Sequence, residues 1–125
     1  MKVFGSIIYS HETVSGEAVS KVKSHTPKIE IPEEIKANEI FEIKINVGPH
    51  PNTIQHSIRW IEVYYYEEDR AYNPIYLATV RLEPEYAKPT ITLRAKLRKS
   101  GTLYVLAYCN IHGLWEGRKE IRVKT

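Results

Sequence analysis

The sequence predicts an all-β fold, an immunoglobulin-like antiparallel β-sandwich of about seven strands, with a partly open barrel as the alternative. Three observations carry this expectation. Several short runs alternate apolar and polar residues with a period of two. Gly, Pro, Asn, Asp and Ser separate those runs. No segment carries the broad apolar stripe of an amphipathic helix.

The elements follow in order. Residues 1–22 have no sustained period and read as a variable, irregular N-terminal arm on a single domain spanning residues 1–125. In KIEIPEEIKANEIFEIKINVG, Phe41, Ile43, Ile45 and Val47 alternate with Glu42, Lys44 and Asn46, which predicts a strand with one buried face. SIRWIEVYYY (57–66) is rich in β-branched and aromatic residues, and its apolar parity shifts near Trp60 and Ile61, as at a bulge. EEDRAYNP (67–74) is a turn. IYLATVRL (75–82), TITLRAKL (90–97), TLYVLAYC (102–109) and RKEIRVK (118–124) are the remaining strands.

The totals bound the function. Apolar residues are 42% and charged residues 26% of the 125, which suits one soluble globular domain. No apolar run approaches the roughly 18 residues of a membrane span. His11 and Glu12 interrupt the early apolar run, so the N-terminus does not read as a signal peptide and the expected location is cytoplasmic. The net charge of +3 comes from 18 basic and 15 acidic residues scattered along the strands, which argues against nucleic acid as a partner. A mild positive field still suits a small anion. The single cysteine excludes an intrachain disulfide and a four-cysteine metal site within the chain.

The chemistry-bearing residues are the histidines and that cysteine. His25 lies in KSHTPK, His50 and His56 bracket the loop GPHPNTIQH, and Cys109 and His112 form a C-x-x-H pair at a strand end. Loops at one end of a sandwich can gather such residues across long sequence separations. Four imidazoles and one thiolate exceed the four ligands of structural zinc. They suit a transition metal with five protein ligands and one open position, and iron fits, with four nitrogens in a plane and the Cys109 sulfur on one axis. A thiolate opposite the open position pushes electron density toward a bound oxygen species. His11 has no motif around it and reads as a surface residue.

HPNTIQHSIRWIE and YCNIHGLWE resemble the two signature segments of superoxide reductases, the neelaredoxin and desulfoferrodoxin group. The resemblance runs from about Lys23 to the C-terminus. It implies one non-haem iron per chain, held by His25, His50, His56, Cys109 and His112 on an immunoglobulin-like sandwich. It implies reduction of superoxide to hydrogen peroxide, with electrons from rubredoxin or a similar donor, and a homo-oligomer, tetramer or dimer. With one cysteine, the chain resembles the one-iron form.

Two departures stand out. The family has Glu-Lys-His where this chain has Lys23-Ser24-His25, so the usual lysine beside the open position is replaced by Ser24, and the usual glutamate by Lys23. The expected substitute for the missing charge and proton source is Lys23, with Lys21 as the alternative. The segment between Leu82 and Thr90 is shorter than in many family members, which bears on subunit contacts. Within the site, backbone N–H groups near Asn110 to His112 are expected to point at the sulfur. Pro51 and Asn52 are candidates for fixing the His50 loop, and Trp115 and Tyr108 read as core packing beside it.

Two other functions remain open on the residues alone. A blue-copper carrier needs two His, one Cys and an axial Met, but the only Met is Met1. A metal-free immunoglobulin-like interaction module would use Tyr64-Tyr65-Tyr66 as an edge, although the β-propensity of Tyr favours plain strand packing.

Overall fold

Alternation of side chains between two faces produces most of the architecture in the computed structural model, which describes residues 1–125. The strands are β1 (Lys28–Glu30), β2 (Ile35–Lys36), β3 (Phe41–Asn46), β4 (Ile58–Glu67), β5 (Ile75–Arg81), β6 (Thr90–Ala95), β7 (Gly101–Cys109), β8 (Gly113–Ile121) and β9 (Val123–Lys124). β1, β3 and β6 form a three-stranded antiparallel sheet in that order, and β5, β4, β7 and β8 form a four-stranded antiparallel one. β2 and β9 form a short parallel pair. In β3, Phe41, Ile43 and Ile45 point inward while Glu42, Lys44 and Asn46 face water. They join Ile61, Val63 and Tyr65 of β4 and Leu103, Val105 and Ala107 of β7 in one buried apolar cluster. The all-β expectation therefore holds.

Pairing direction decides where the loops meet. Lys28 at the start of β1 is opposite Asn46 at the end of β3, so the segment before β1 and the loop after β3 share one end of the molecule. Ile58 at the start of β4 is opposite Cys109 at the end of β7, which brings the end of that same loop to the cysteine. The parity change in β4 has the expected cause: its register with β7 shifts between Ile58 and Trp60, so Ile58 and Ile61 both face inward.

Three expectations need correction. The last long strand starts at Gly113, not at residue 118, and β9 is separate from it. Gly113 and Gly117 interrupt the apolar alternation that would have announced it. Gly117 is required by space, because a Cβ there would lie 2.3 Å from the Pro27 carbonyl oxygen. The N-terminal arm is not irregular: it makes 3₁₀ turns at Phe4–Ile7 and Gly16–Lys21 and a single α-helical turn at Val22–His25. The two 3₁₀ turns bury no residue, so they leave no apolar period to read. Tyr108 does not line the core beside the cysteine; it lies on the opposite sheet face, stacked on Trp60 at 4.2 Å between ring centroids. Trp115, in contrast, is buried at the site end. No helix is long and apolar enough to cross a membrane.

Candidate metal centre

The strand ends deliver the four motif histidines to one place. Ring centroids are 4.6 Å apart for His25 and His50, 4.7 Å for His50 and His56, 5.1 Å for His56 and His112, and 5.0 Å for His112 and His25. The four rings thus close a ring with four nearly equal sides, and neighbouring rings are tilted by 65° to 89°. Cys109, wholly buried, joins them. His25, His50, His56 and Cys109 each offer a donor atom within 4.8 Å of every other. His112 stands beside this group, its Nδ1 3.7 Å from the Cys109 sulfur. His11 is elsewhere, exposed and 3.7 Å from Glu12.

Each element aims its ligand-type atom. Pro27 ends the short α-helical turn that carries His25, since a residue before proline avoids helical geometry. His25 Nδ1 lies 3.0 Å from the Lys21 carbonyl oxygen, to which it donates, and 2.8 Å from the Ser24 hydroxyl. His50 Nδ1 donates to the Pro51 carbonyl at 2.7 Å. Those bonds place both protons on Nδ1 and leave the Nε2 lone pairs free. The two Nε2 atoms nevertheless face each other at 3.1 Å. Two lone pairs in that position repel unless a cation lies between them. His56 Nε2 is buried with no hydrogen-bond partner. A buried polar atom without a partner is costly and calls for a ligand. The residues present therefore fit a transition metal with nitrogen and sulfur donors.

Electrostatics keep the imidazoles in the form that binds metal. Burial, then the neighbouring His50, His112 and His56, bring His25 down to about 4 against the opposing Lys21 carbonyl. His50 is lowered by burial first and then by His56, His112 and Lys21. His112 is lowered by burial, Lys21 and His56. Neutral imidazoles are the ligating form, so the site is ready for metal at neutral pH.

The sulfur has its own support. The His112 backbone N–H donates to Cys109 Sγ at 3.3 Å, as expected for this turn. Asn110, which the sequence did not single out, ties the turn to the histidine loop. Its Oδ1 accepts from the Ser57 N–H at 2.9 Å and its Nδ2 donates to the Gln55 carbonyl at 2.8 Å. A polar residue between two ligand-type residues was the available signal. Asn52 braces the far side of the loop, its Oδ1 accepting from the Glu85 N–H at 3.1 Å. Trp115 donates its indole N–H to the His112 carbonyl at 3.1 Å.

A cavity of about 410 Å³ opens beside His112, lined also by Tyr9, Glu17, Lys21, Ile111 and Trp115. Lys21 is therefore the lysine beside the ring of histidines. Lys23 is exposed, and its contact there is made by its carbonyl, which accepts from Lys28 Nζ at 3.1 Å. Ser24 contributes its hydroxyl to His25.

Comparison with known proteins agrees with this geometry. The desulfoferrodoxin family model matches residues 17–118. A superoxide reductase of Pyrococcus abyssi is 37% identical over 107 residues, covering 81% of this chain and 90% of that one. A neelaredoxin of Megalodesulfovibrio gigas is 32% identical over 118 residues, covering 83% and 91%. The structure of the superoxide reductase (neelaredoxin) of Ignicoccus hospitalis, 56% identical, superposes with a TM-score of 0.92 over 98% of this chain and 100% of that one. Four imidazoles around one buried sulfur, on a chain that aligns with these proteins along most of its length, settle its kinship: the chain belongs to the desulfoferrodoxin and neelaredoxin family of superoxide reductases, in its one-iron form.

Proposed function

We propose that the site is a mononuclear iron centre held by His25, His50, His56, His112 and Cys109, and that the chain is a superoxide reductase. The observation that carries this is the closed ring of four imidazoles, with the Nε2 atoms of His25 and His50 facing each other and one buried sulfur beside them. A blue-copper site needs a weak axial Met and would leave two of these histidines without a task. Bound iron would supply the single electron that superoxide takes up, and the Cys109 thiolate would lend it electron density for that transfer.

The chain's own residues do the rest. Lys21 Nζ draws the anion into the cavity beside His112 and is the group positioned to hand a proton to the departing peroxide. Two facts favour Lys21 over Lys23: it lines the cavity, and its charge acts on His50 and His112. The Lys21 carbonyl and Ser24 hydroxyl fix the ring of His25, and the Pro51 carbonyl fixes that of His50. The His112 N–H bond to Cys109 Sγ moderates the charge on sulfur.

The wider reading is a single domain over residues 1–125 folded as an immunoglobulin-like sandwich, supported by the shared core of its two larger sheets. The electron donor is rubredoxin or a similar small redox protein, and the location is cytoplasmic. The chain assembles as a homo-oligomer, dimer or tetramer. Support for assembly comes from an apolar hollow on the outer face of the four-stranded sheet, lined by Phe4, Ile8, Trp60, Tyr64, Tyr104 and Leu114.

The test is a superoxide pulse delivered to reduced, iron-loaded protein without oxygen. One peroxide per superoxide, with one iron oxidised each time, is expected. One peroxide per two superoxides without net iron oxidation would make the protein a dismutase. No reaction faster than spontaneous decay would overturn the assignment.

A further inference from the structure

Two aromatic rings lead from the surface to a ligand-type histidine. Tyr9 is 39% exposed, and its ring centroid is 5.0 Å from that of Trp115. Trp115 is 1% exposed, and its centroid is 5.1 Å from the ring of His25. Both separations fall within the range of directly interacting rings. The order is held in place from each side. Tyr9 pairs with β8 as an isolated parallel bridge, its N–H donating to the Leu114 carbonyl at 2.9 Å and its carbonyl accepting from the Glu116 N–H at 2.8 Å. Gly113, with φ +87°, has no Cβ, and the Tyr9 ring occupies the space 3.4 Å from where one would be. The indole N–H of Trp115 is fixed on the His112 carbonyl. Packing alone would accept any large apolar pair here. Tyr and Trp are, with Cys, the side chains most readily oxidised by one electron, and they stand in the order surface, interior, ligand.

We propose that Tyr9 and Trp115 form an escape route for oxidising equivalents, protecting the histidine ring from the enzyme's own product. The inference rests on the superoxide reductase reading, which makes hydrogen peroxide next to reduced iron. When a peroxide molecule reacts again with the ferrous site, its O–O bond breaks and two electrons are needed. Iron supplies one and ends ferric. Trp115 passes the other inward through His25 and is refilled by Tyr9, whose phenolic O–H gives up its proton. The Tyr9 proton and one proton from solvent join the two hydrogens that the peroxide already carries, and two waters leave. Tyr9 is left as a neutral phenoxyl radical at the surface, where a small thiol returns one hydrogen atom and becomes a thiyl radical. Without the route, the second electron comes from the nearest ligand, and an imidazole is oxidised.

The experiment uses the full iron-loaded chain, reduced and free of oxygen, mixed with one equivalent of hydrogen peroxide. Samples are frozen within milliseconds for electron paramagnetic resonance and digested for mass mapping. The wild type is expected to give a tyrosyl radical signal that is lost in Tyr9→Phe, which keeps the ring and its packing. Oxidation of His25 and iron release per peroxide are expected to rise several-fold in Tyr9→Phe and again in Trp115→Phe. No organic radical in the wild type, an unchanged tyrosyl signal in Tyr9→Phe, or equal ligand oxidation in all three proteins would overturn the route. The same preparation is also given superoxide. If it makes one peroxide per superoxide yet Tyr9→Phe matches wild type in the peroxide challenge, the route falls and the reductase reading stands. If it does not consume superoxide, both fall.

Discussion

The histidine ring depends on residues whose tasks are split between backbone and side chain. Lys21 turns its carbonyl to His25 and lines the cavity beside His112. Lys21→Ala keeps the carbonyl and removes the charge, so metal should stay bound while superoxide capture slows. Steering by one charge at a cleft is worth about tenfold at the low end of observed effects. That difference should shrink as salt rises, because the screening length falls to about 10 Å at 0.1 M ionic strength. Pulse radiolysis over a salt series reads both, and Lys23→Ala should leave both unchanged. Which lysine lines the cavity was not legible in the sequence: residues 21 and 23 differ by two positions, and only the direction of the turn separates cavity from solvent. Ser24 makes a second case. Ser24→Ala removes one of two partners of His25 Nδ1 while the Lys21 carbonyl remains. Losing an outer-shell partner costs about 10 to 100-fold in metal affinity, and the remaining carbonyl predicts about tenfold. Competition with a chelator would measure it, and an unchanged affinity would mean that the carbonyl alone orients the ring.

At the level of elements, the site is a product of strand ends. The period of two made β3, β4 and β7 legible, and a parity slip located the bulge in β4. The ligand-type residues were legible because they stand beside turn signals, Pro51, Pro27 and Gly113 among them. The arm and the start of β8 were not, since short turns and two glycines carry no period. Nor could the sequence reveal that Asn110 joins two loops that are more than fifty positions apart. Asn110→Ala removes both side-chain bonds and leaves the Ser57 N–H, on a residue with 0% exposure, without its partner. Two lost bonds at about 1 kcal/mol each, together with a buried donor left unpaired, predict a loss of about 2–4 kcal/mol. Asn110→Asp keeps the acceptor for Ser57 and should recover part of that. Denaturant midpoints of the three proteins would decide, and equal midpoints would show that the loops hold their geometry without this bridge.

For the whole molecule, the price of a preformed metal site is a set of histidines that resist protonation. In the folded, metal-free chain, burial and its imidazole neighbours hold His25 at about 4, against 6.5 for the free side chain. His50 and His112 are shifted in the same direction. The unfolded chain therefore binds more protons than the folded one as pH falls below 6.5, and stability decreases through that window until His25 itself protonates near 4. Above 6.5 these groups contribute no further change. Carboxylates titrate mainly below about 5, with Glu116 pushed upward by burial, so unfolding midpoints between pH 7 and 5.5 report chiefly the histidines. The metal-free wild type should weaken across that interval, and His25→Gln should weaken less. Metal binding should add stability at pH 7 and make the decline on acidification steeper, because bound metal requires deprotonated ligands. A metal-free wild type with the same midpoint at both pH values would mean that the histidines already protonate freely in the fold. In that case the ring of imidazoles must open without metal, and the site is assembled by the ion rather than awaiting it.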